Sequence, residues 1–136
     1  MKKVFTSLFL GVLFVLTFAL SACGDKNGTY YPDYLEMKSN LEKCDYTVEI
    51  SGNEYEHCGY TYLYAYNENN EYIKFYWFDG ASIVQHFKEL LENENSNYDK
   101  LVSIQNDEKY GNLAFCGTEK AIDDAGIKIV DIKVKV

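Results

Sequence analysis

Arginine is missing from the chain altogether, and its 13 lysines are outnumbered by 21 acidic residues. Readers of phosphate or nucleic acid normally use arginine's bidentate fork within a basic patch, so no nucleic-acid partner is expected. Proline occurs once, at Pro32, which leaves the rest of the chain free of its hardest breaker of helices and strands. There are two histidines and neither a Cys-x-x-Cys nor a His-Glu-x-x-His pattern, so no metal or cofactor is expected. One apolar run stands out, Val4 to Leu20. It falls short of the roughly 20 residues that a membrane-spanning helix needs. Internal repeats and low-complexity segments are absent from the sequence.

The setting of that run gives it a meaning. Lys2 and Lys3 precede it, and small residues follow at Ser21 and Ala22 before Cys23. A charged start, an apolar stretch and a small-residue cleavage point are the marks of an export signal. With the cysteine directly after it, Leu20-Ser21-Ala22-Cys23 resembles the lipobox of bacterial lipoproteins. The resemblance implies removal of residues 1–22 and lipidation of Cys23. Acyl chains contribute about 0.8 kcal/mol per buried methylene, so two or three hold a chain durably. Palmitate-like lipid on Cys23 would thus make the protein a lipid-anchored component of the extracytoplasmic cell envelope. Residues 23–32 then form the lipidated start and tether, and residues 33–136 a single domain. Cleavage removes two lysines and no acid, which takes the net charge from −8 to −10. An electrostatic docking onto anionic lipid is therefore not expected, and membrane contact should come through Cys23.

Lipidation would leave Cys44, Cys58 and Cys116, an odd number that permits one internal bridge at most. Cys44, at the end of an apolar helical stripe, and Cys116, in a strand, also suit small buried hydrophobes. The pairing stays open at this level.

Tyr34, Met37, Leu41 and Cys44 recur at helical spacing, predicting a helix near 33–44. Alternation predicts a strand at Tyr46–Ile50. Two aromatic runs, Tyr60–Tyr66 and Tyr72–Phe78, flank the polar segment 67–71 and read as a hairpin. With Tyr66 opposite Tyr72, Ala65 faces Ile73, Leu63 faces Phe75 and Thr61 faces Trp77, while the tyrosines collect on the other face. Asp79 is placed to cap a helix over 81–92, whose stripe is Ile83, Val84, Phe87, Leu90 and Leu91. Strands follow at Leu101–Gln105 and Gly111–Cys116. A short helix capped by Thr118 and ended by Gly126 comes next, and a tail alternating from Ile132 should add an edge strand. This order predicts an α+β fold, an antiparallel sheet of about five or six strands with helices packed on one face.

Leu41-Glu42-Lys43 followed by Tyr46 and Val48, and Gly111-Asn112-Leu113-Ala114-Phe115-Cys116-Gly117-Thr118 with Ala121-Ile122, resemble small extracytoplasmic lipoproteins of Gram-positive anaerobes. That resemblance bears on fold and address and supplies no catalytic residue.

Tyr60, Tyr62, Tyr64, Tyr66, Tyr72 and Tyr76 form the candidate binding face. Tyrosine offers a stiff apolar ring and a hydroxyl at low ordering cost, suited to a protein, peptide or glycan. The alternative is structural, because tyrosine favours strands and cross-strand aromatic pairs stabilise hairpins. His57-Cys58, with Glu54 and Glu56 nearby, is the candidate for a small enzyme, although a cysteine nucleophile needs a base and an orienting group brought to it by the fold. Asn93, Asn95, Asn97 and Asp99 imitate a calcium loop only superficially, since Lys100 and Asn106 stand where glycine and a bidentate glutamate are required. His86 is expected to be partly buried on its helix. The leading expectation is a non-enzymatic binding module using the tyrosine face. An enzyme at His57-Cys58 and a structural or inhibitor-like accessory subunit of an envelope complex are the alternatives.

Overall fold

The computed structural model describes residues 28–94 and 97–130. The signal segment, Cys23, the first part of the tether and the strand expected from Ile132 lie outside the described residues. The described residues fall into two compact units, Tyr31–Ile127 and a smaller one of which residues 28–30 and 128–130 are described. In the described part of the smaller unit, Tyr30 and Lys128 exchange backbone hydrogen bonds of 2.7 and 2.9 Å.

In the larger unit, helix α1 (Tyr34–Lys43) starts where Asp33, in extended conformation, accepts a hydrogen bond from the Glu36 N–H at 2.8 Å. This satisfies one of the amides that a helix start leaves without an internal partner. Met37 and Leu41 are fully buried. Strands β1 (Thr47–Tyr55), β2 (Cys58–Tyr66) and β3 (Tyr72–Phe78) follow, then helix α2 (Val84–Glu94), strands β4 (Lys100–Asp107) and β5 (Gly111–Gly117), and helix α3 (Glu119–Asp124). The five strands form one antiparallel sheet in the order β1-β2-β3-β5-β4. The protein is thus an α+β fold.

The β2–β3 register is the expected one: Tyr66 opposite Tyr72, Ala65 opposite Ile73, Leu63 opposite Phe75 and Thr61 opposite Trp77. The Asn67 side chain organises the turn by accepting from the N–H groups of Asn69 (3.0 Å) and Glu71 (3.1 Å). On one face lie Leu63, Ala65, Ile73, Phe75, Leu113 and Phe115, all fully buried. Phe75 and Phe115 stack there with centroids 4.8 Å apart. Helix α1 covers this face, with Tyr34 edge-on to Trp77 at 6.1 Å. Asn40 donates to the Ala125 carbonyl at 3.0 Å, and the Tyr46 hydroxyl donates to Asp124 at 2.8 Å. These two bonds hold α3 beside α1 and the start of β1. Gly126, at φ 87°, closes α3 in the left-handed conformation that glycine adopts without a steric penalty.

Helices cover both faces rather than one. Helix α2 lies on the tyrosine face, where Phe87 packs on Tyr60, Tyr76 and Phe78 at 4.8, 4.8 and 5.1 Å. The helix also begins later than expected, at Val84. Asp79 does not cap it and instead donates its own N–H to the Gly59 carbonyl at 2.9 Å. Strand β1 runs five residues beyond its expected end at Ile50. It turns into β2 through Glu56 and His57, both at positive φ (47° and 68°). That is the two-residue turn whose twist matches antiparallel strands.

Candidate binding face

The alternation of β2 and β3 puts Cys58, Tyr60, Tyr62, Tyr64 and Tyr66 on the same face as Tyr72, Lys74, Tyr76 and Phe78. Pairing with β5 adds Ala114 and Cys116 to that face. Pairing with β1 adds Thr47, Glu49, Ser51 and Asn53.

Helix α2 divides the tyrosines. Ile83, Val84, Phe87 and Leu91 build a core with Cys58, Phe78, Ala114 and Cys116, against which Tyr55, Tyr60, Tyr72 and Tyr76 pack half-buried. Tyr62 is half-buried and stacks on Tyr76 with centroids 4.4 Å apart. Burial, more than any charge, holds the Tyr62 hydroxyl well above the usual tyrosine range, and it pushes Tyr76 up to about 12. The far end of the face is open. There Tyr66 is 38 % exposed, the largest exposure among the six candidates. The Tyr64 ring lies 5.1 Å from Tyr66, and the Lys74 ammonium stands 5.4 Å from the centre of Tyr64, within range of a cation–π attraction.

Two depressions flank Tyr66. One, of about 300 Å³, is lined by Tyr64, Tyr66, Asn67, Asn70, Glu71, Tyr72 and Lys74. The other, of about 660 Å³, is lined by Cys44, Asp45, Thr47, Tyr66, Asn67, Glu68 and Asn69. Sequence reasoning selected the tyrosines and missed Lys74, Asn67, Asn70 and Glu71. The hairpin register already contained the signal for Lys74, because it sets that residue directly opposite Tyr64. Rings, amides, a carboxylate and an ammonium are thus gathered at one end of the sheet. Such a set can stack on and hydrogen-bond a ligand.

Tyr72 has a different part. Its hydroxyl is buried and no hydrogen bond of acceptable geometry reaches it. Burial pushes it up to about 12, with the Cys116 thiol as the next influence. Burial likewise pushes the Cys116 thiol up to about 11, partly offset by Lys74. A thiol so far above neutral pH carries almost no thiolate and is a poor nucleophile.

The other candidates do not assemble a reactive site. The His57 side chain is wholly in solvent, its Nδ1 3.9 Å from Glu54. Cys58 is buried, its sulfur 3.7 Å from the carbonyl oxygens of Gly59 and Gly80. His86 is exposed rather than partly buried, and it stacks flat on Tyr55 at 4.7 Å. Of the possibilities left open for the cysteines, burial holds for Cys116 and not for Cys44, which is exposed, and all three described cysteines are free thiols. Cys58 and Cys116 share a face yet cannot bridge. Cys116 is level with Tyr64 through Lys74, six residues or about 20 Å along β2 from Cys58, and a disulfide tolerates no more than about 7 Å between Cα atoms. No group of three or more potential metal ligands occurs among the described residues.

Compared with protein-family models, curated proteins and solved structures, the chain matches none.

Proposed function

We propose that this is a lipid-anchored envelope protein whose domain is a non-enzymatic binding module. It grips a protein, peptide or glycan partner with the open end of the tyrosine face. The observation that carries this reading is the division made by α2. Tyr60, Tyr62 and Tyr76 serve the core, while Tyr64 and Tyr66, with Lys74 beside them, remain available. The exposed Tyr66 ring and the half-buried Tyr64 ring, beside amides and a carboxylate, supply apolar area and hydrogen-bonding groups at small entropic cost. Anchorage through Cys23 rests on the lipobox resemblance.

The test compares the full chain with Tyr64→Ala/Tyr66→Ala and with Cys23→Ala. Each is recovered separately from the membrane and soluble fractions of its producing cell after labelling with radioactive palmitate. The wild-type chain should carry label and retain envelope material through washing. The double tyrosine variant should carry label and lose the retained material. Cys23→Ala should be unlabelled and leave the membrane. Unchanged retention by the tyrosine variant would refute the binding face, and label on Cys23→Ala would refute the anchor.

A further inference from the structure

The sheet has two free edges among the described residues, and they differ. Strand β4 carries Lys100 and a register shift between Ile104 and Asp107. A lysine and an irregularity are both devices that keep an edge from recruiting another strand. Strand β1 has neither. Its nine residues pair with β2 without interruption from Thr47 opposite Tyr66 to Tyr55 opposite Cys58, and it contains no lysine, proline or bulge. Its outer row of backbone donors and acceptors is a ready template for another strand.

We propose that this edge pairs with β1 of a second copy, so that two chains share one antiparallel sheet and the partner contributes its own tyrosines to a joint surface. A two-fold axis perpendicular to the sheet keeps like faces together. Residues directly opposite must then share a face, which limits the registers. Centring on Ser51 uses the whole strand. It sets Thr47 against the partner's Tyr55, Val48 against the partner's Glu54, Glu49 against the partner's Asn53 and Ile50 against the partner's Gly52. No glutamate meets a glutamate. Centring on Glu49 or Glu54 would place like charges directly opposite, which is destabilising. The side chains at the centre, Ser51 and Gly52, are small and exposed, so they leave room for the approach. This fit of the strand to itself favours a second copy over an unrelated extended peptide.

Pairing would also change the candidate site. Thr47, Glu49, Ser51 and Asn53 are exposed on the tyrosine face. Doubled, they form a polar floor running diagonally between Tyr64 and Tyr66 of one chain and the same pair of the other, which are offset by about 14 Å across three strand spacings and by a further four residues (Tyr64, about 13 Å) or eight (Tyr66, about 26 Å) along the strands. This last step rests on the proposed binding reading, whereas the edge pairing does not.

The test is cysteine cross-linking in the membrane-bound full chain, with Cys44→Ser to remove the exposed thiol. Ser51→Cys brings two thiols together across the axis, at the Cα separation of 4.5–5.5 Å typical of opposed antiparallel residues, which suits a disulfide. Glu49→Cys is the control, because its two copies would stand four residues, or about 13 Å, apart. Mild oxidation should give a disulfide dimer with Ser51→Cys at least tenfold more abundant than with Glu49→Cys. Equal yields at the two positions, no dimer with Ser51→Cys, or a Ser51→Cys adduct to a different chain would each overturn the proposal. Retention of envelope material by the Cys44→Ser parent, measured alongside, separates this failure from failure of the binding reading.

Discussion

Among the described residues, Tyr72 holds the one buried side-chain oxygen without a hydrogen-bond partner. A buried polar group in that state costs about 1–3 kcal/mol. Removing the oxygen while keeping the ring should therefore stabilise the protein. Tyr72→Phe is expected to gain about 1 kcal/mol in urea unfolding at pH 8, and a loss of stability would show that the hydroxyl has an effective partner. The same side chain gives a pH dependence. Tyr72 and Tyr76 are pushed up to about 12 from the ordinary 10. Between those values the unfolded chain has released these protons and the folded chain still holds them, so folding stability falls as pH rises. Stability should be level to about pH 9, where the raised Cys116 thiol begins the decline, and fall further between pH 10 and pH 12, more shallowly in Tyr72→Phe. A profile flat to pH 12 would contradict the burial of these hydroxyls.

At the scale of elements, α2 decides what the tyrosines do. Phe87 is 5 % exposed and touches Tyr55, Tyr60, Tyr76 and Phe78. Truncating a buried aromatic costs about 3–5 kcal/mol. Phe87→Ala should lose that much in denaturant unfolding, whereas Tyr66→Ala, at the open end, should stay within about 0.5 kcal/mol. Equal losses would mean that α2 does not divide the face. Much of this scale was legible in the sequence. Period-two alternation and the polar segment 67–71 determined the β2–β3 register, and the spacing of Met37 and Leu41 located α1. The second half of β1 was not legible, because Gly52-Asn53 resembles a turn while the real turn, Glu56-His57, adopts positive φ without glycine or asparagine. Nor was the seat of α2. Its apolar stripe was plain, but periodicity tells which side of a helix is buried and not which face of a sheet it meets. A helix over the tyrosine face was one alternative in the sequence, but the face was treated as a unit, and which tyrosines α2 would take was not legible.

At the scale of the whole molecule, helices pack on both sheet faces and, among the described residues, leave one tyrosine end open and the regular β1 edge without a partner strand. No helix among the described residues is long and apolar enough to cross a membrane; the proposed attachment rests on the lipobox resemblance at Cys23. Gly117 shows how tightly the sheet is built. A Cβ there would come within 2.6 Å of the Tyr72 carbonyl oxygen, beneath the cluster that supports the open end. That end is set on β2 and β3, paired strands of the sheet, so a partner would meet a preformed surface.

The most direct measurement is residue-resolved nitration of tyrosines by tetranitromethane, run on the purified chain and on the chain in intact envelopes. Tyr34, 40 % exposed on the opposite side of the sheet, serves as the internal standard. In the purified chain Tyr66 and Tyr64 should react alongside Tyr34, while Tyr60, Tyr62 and Tyr76 should not. In envelopes Tyr64 and Tyr66 should become protected with Tyr34 unchanged. Equal nitration of Tyr64 and Tyr66 in both settings would contradict a contact role for the open end, and ready nitration of Tyr62 and Tyr76 in the purified chain would contradict the division on which that role depends.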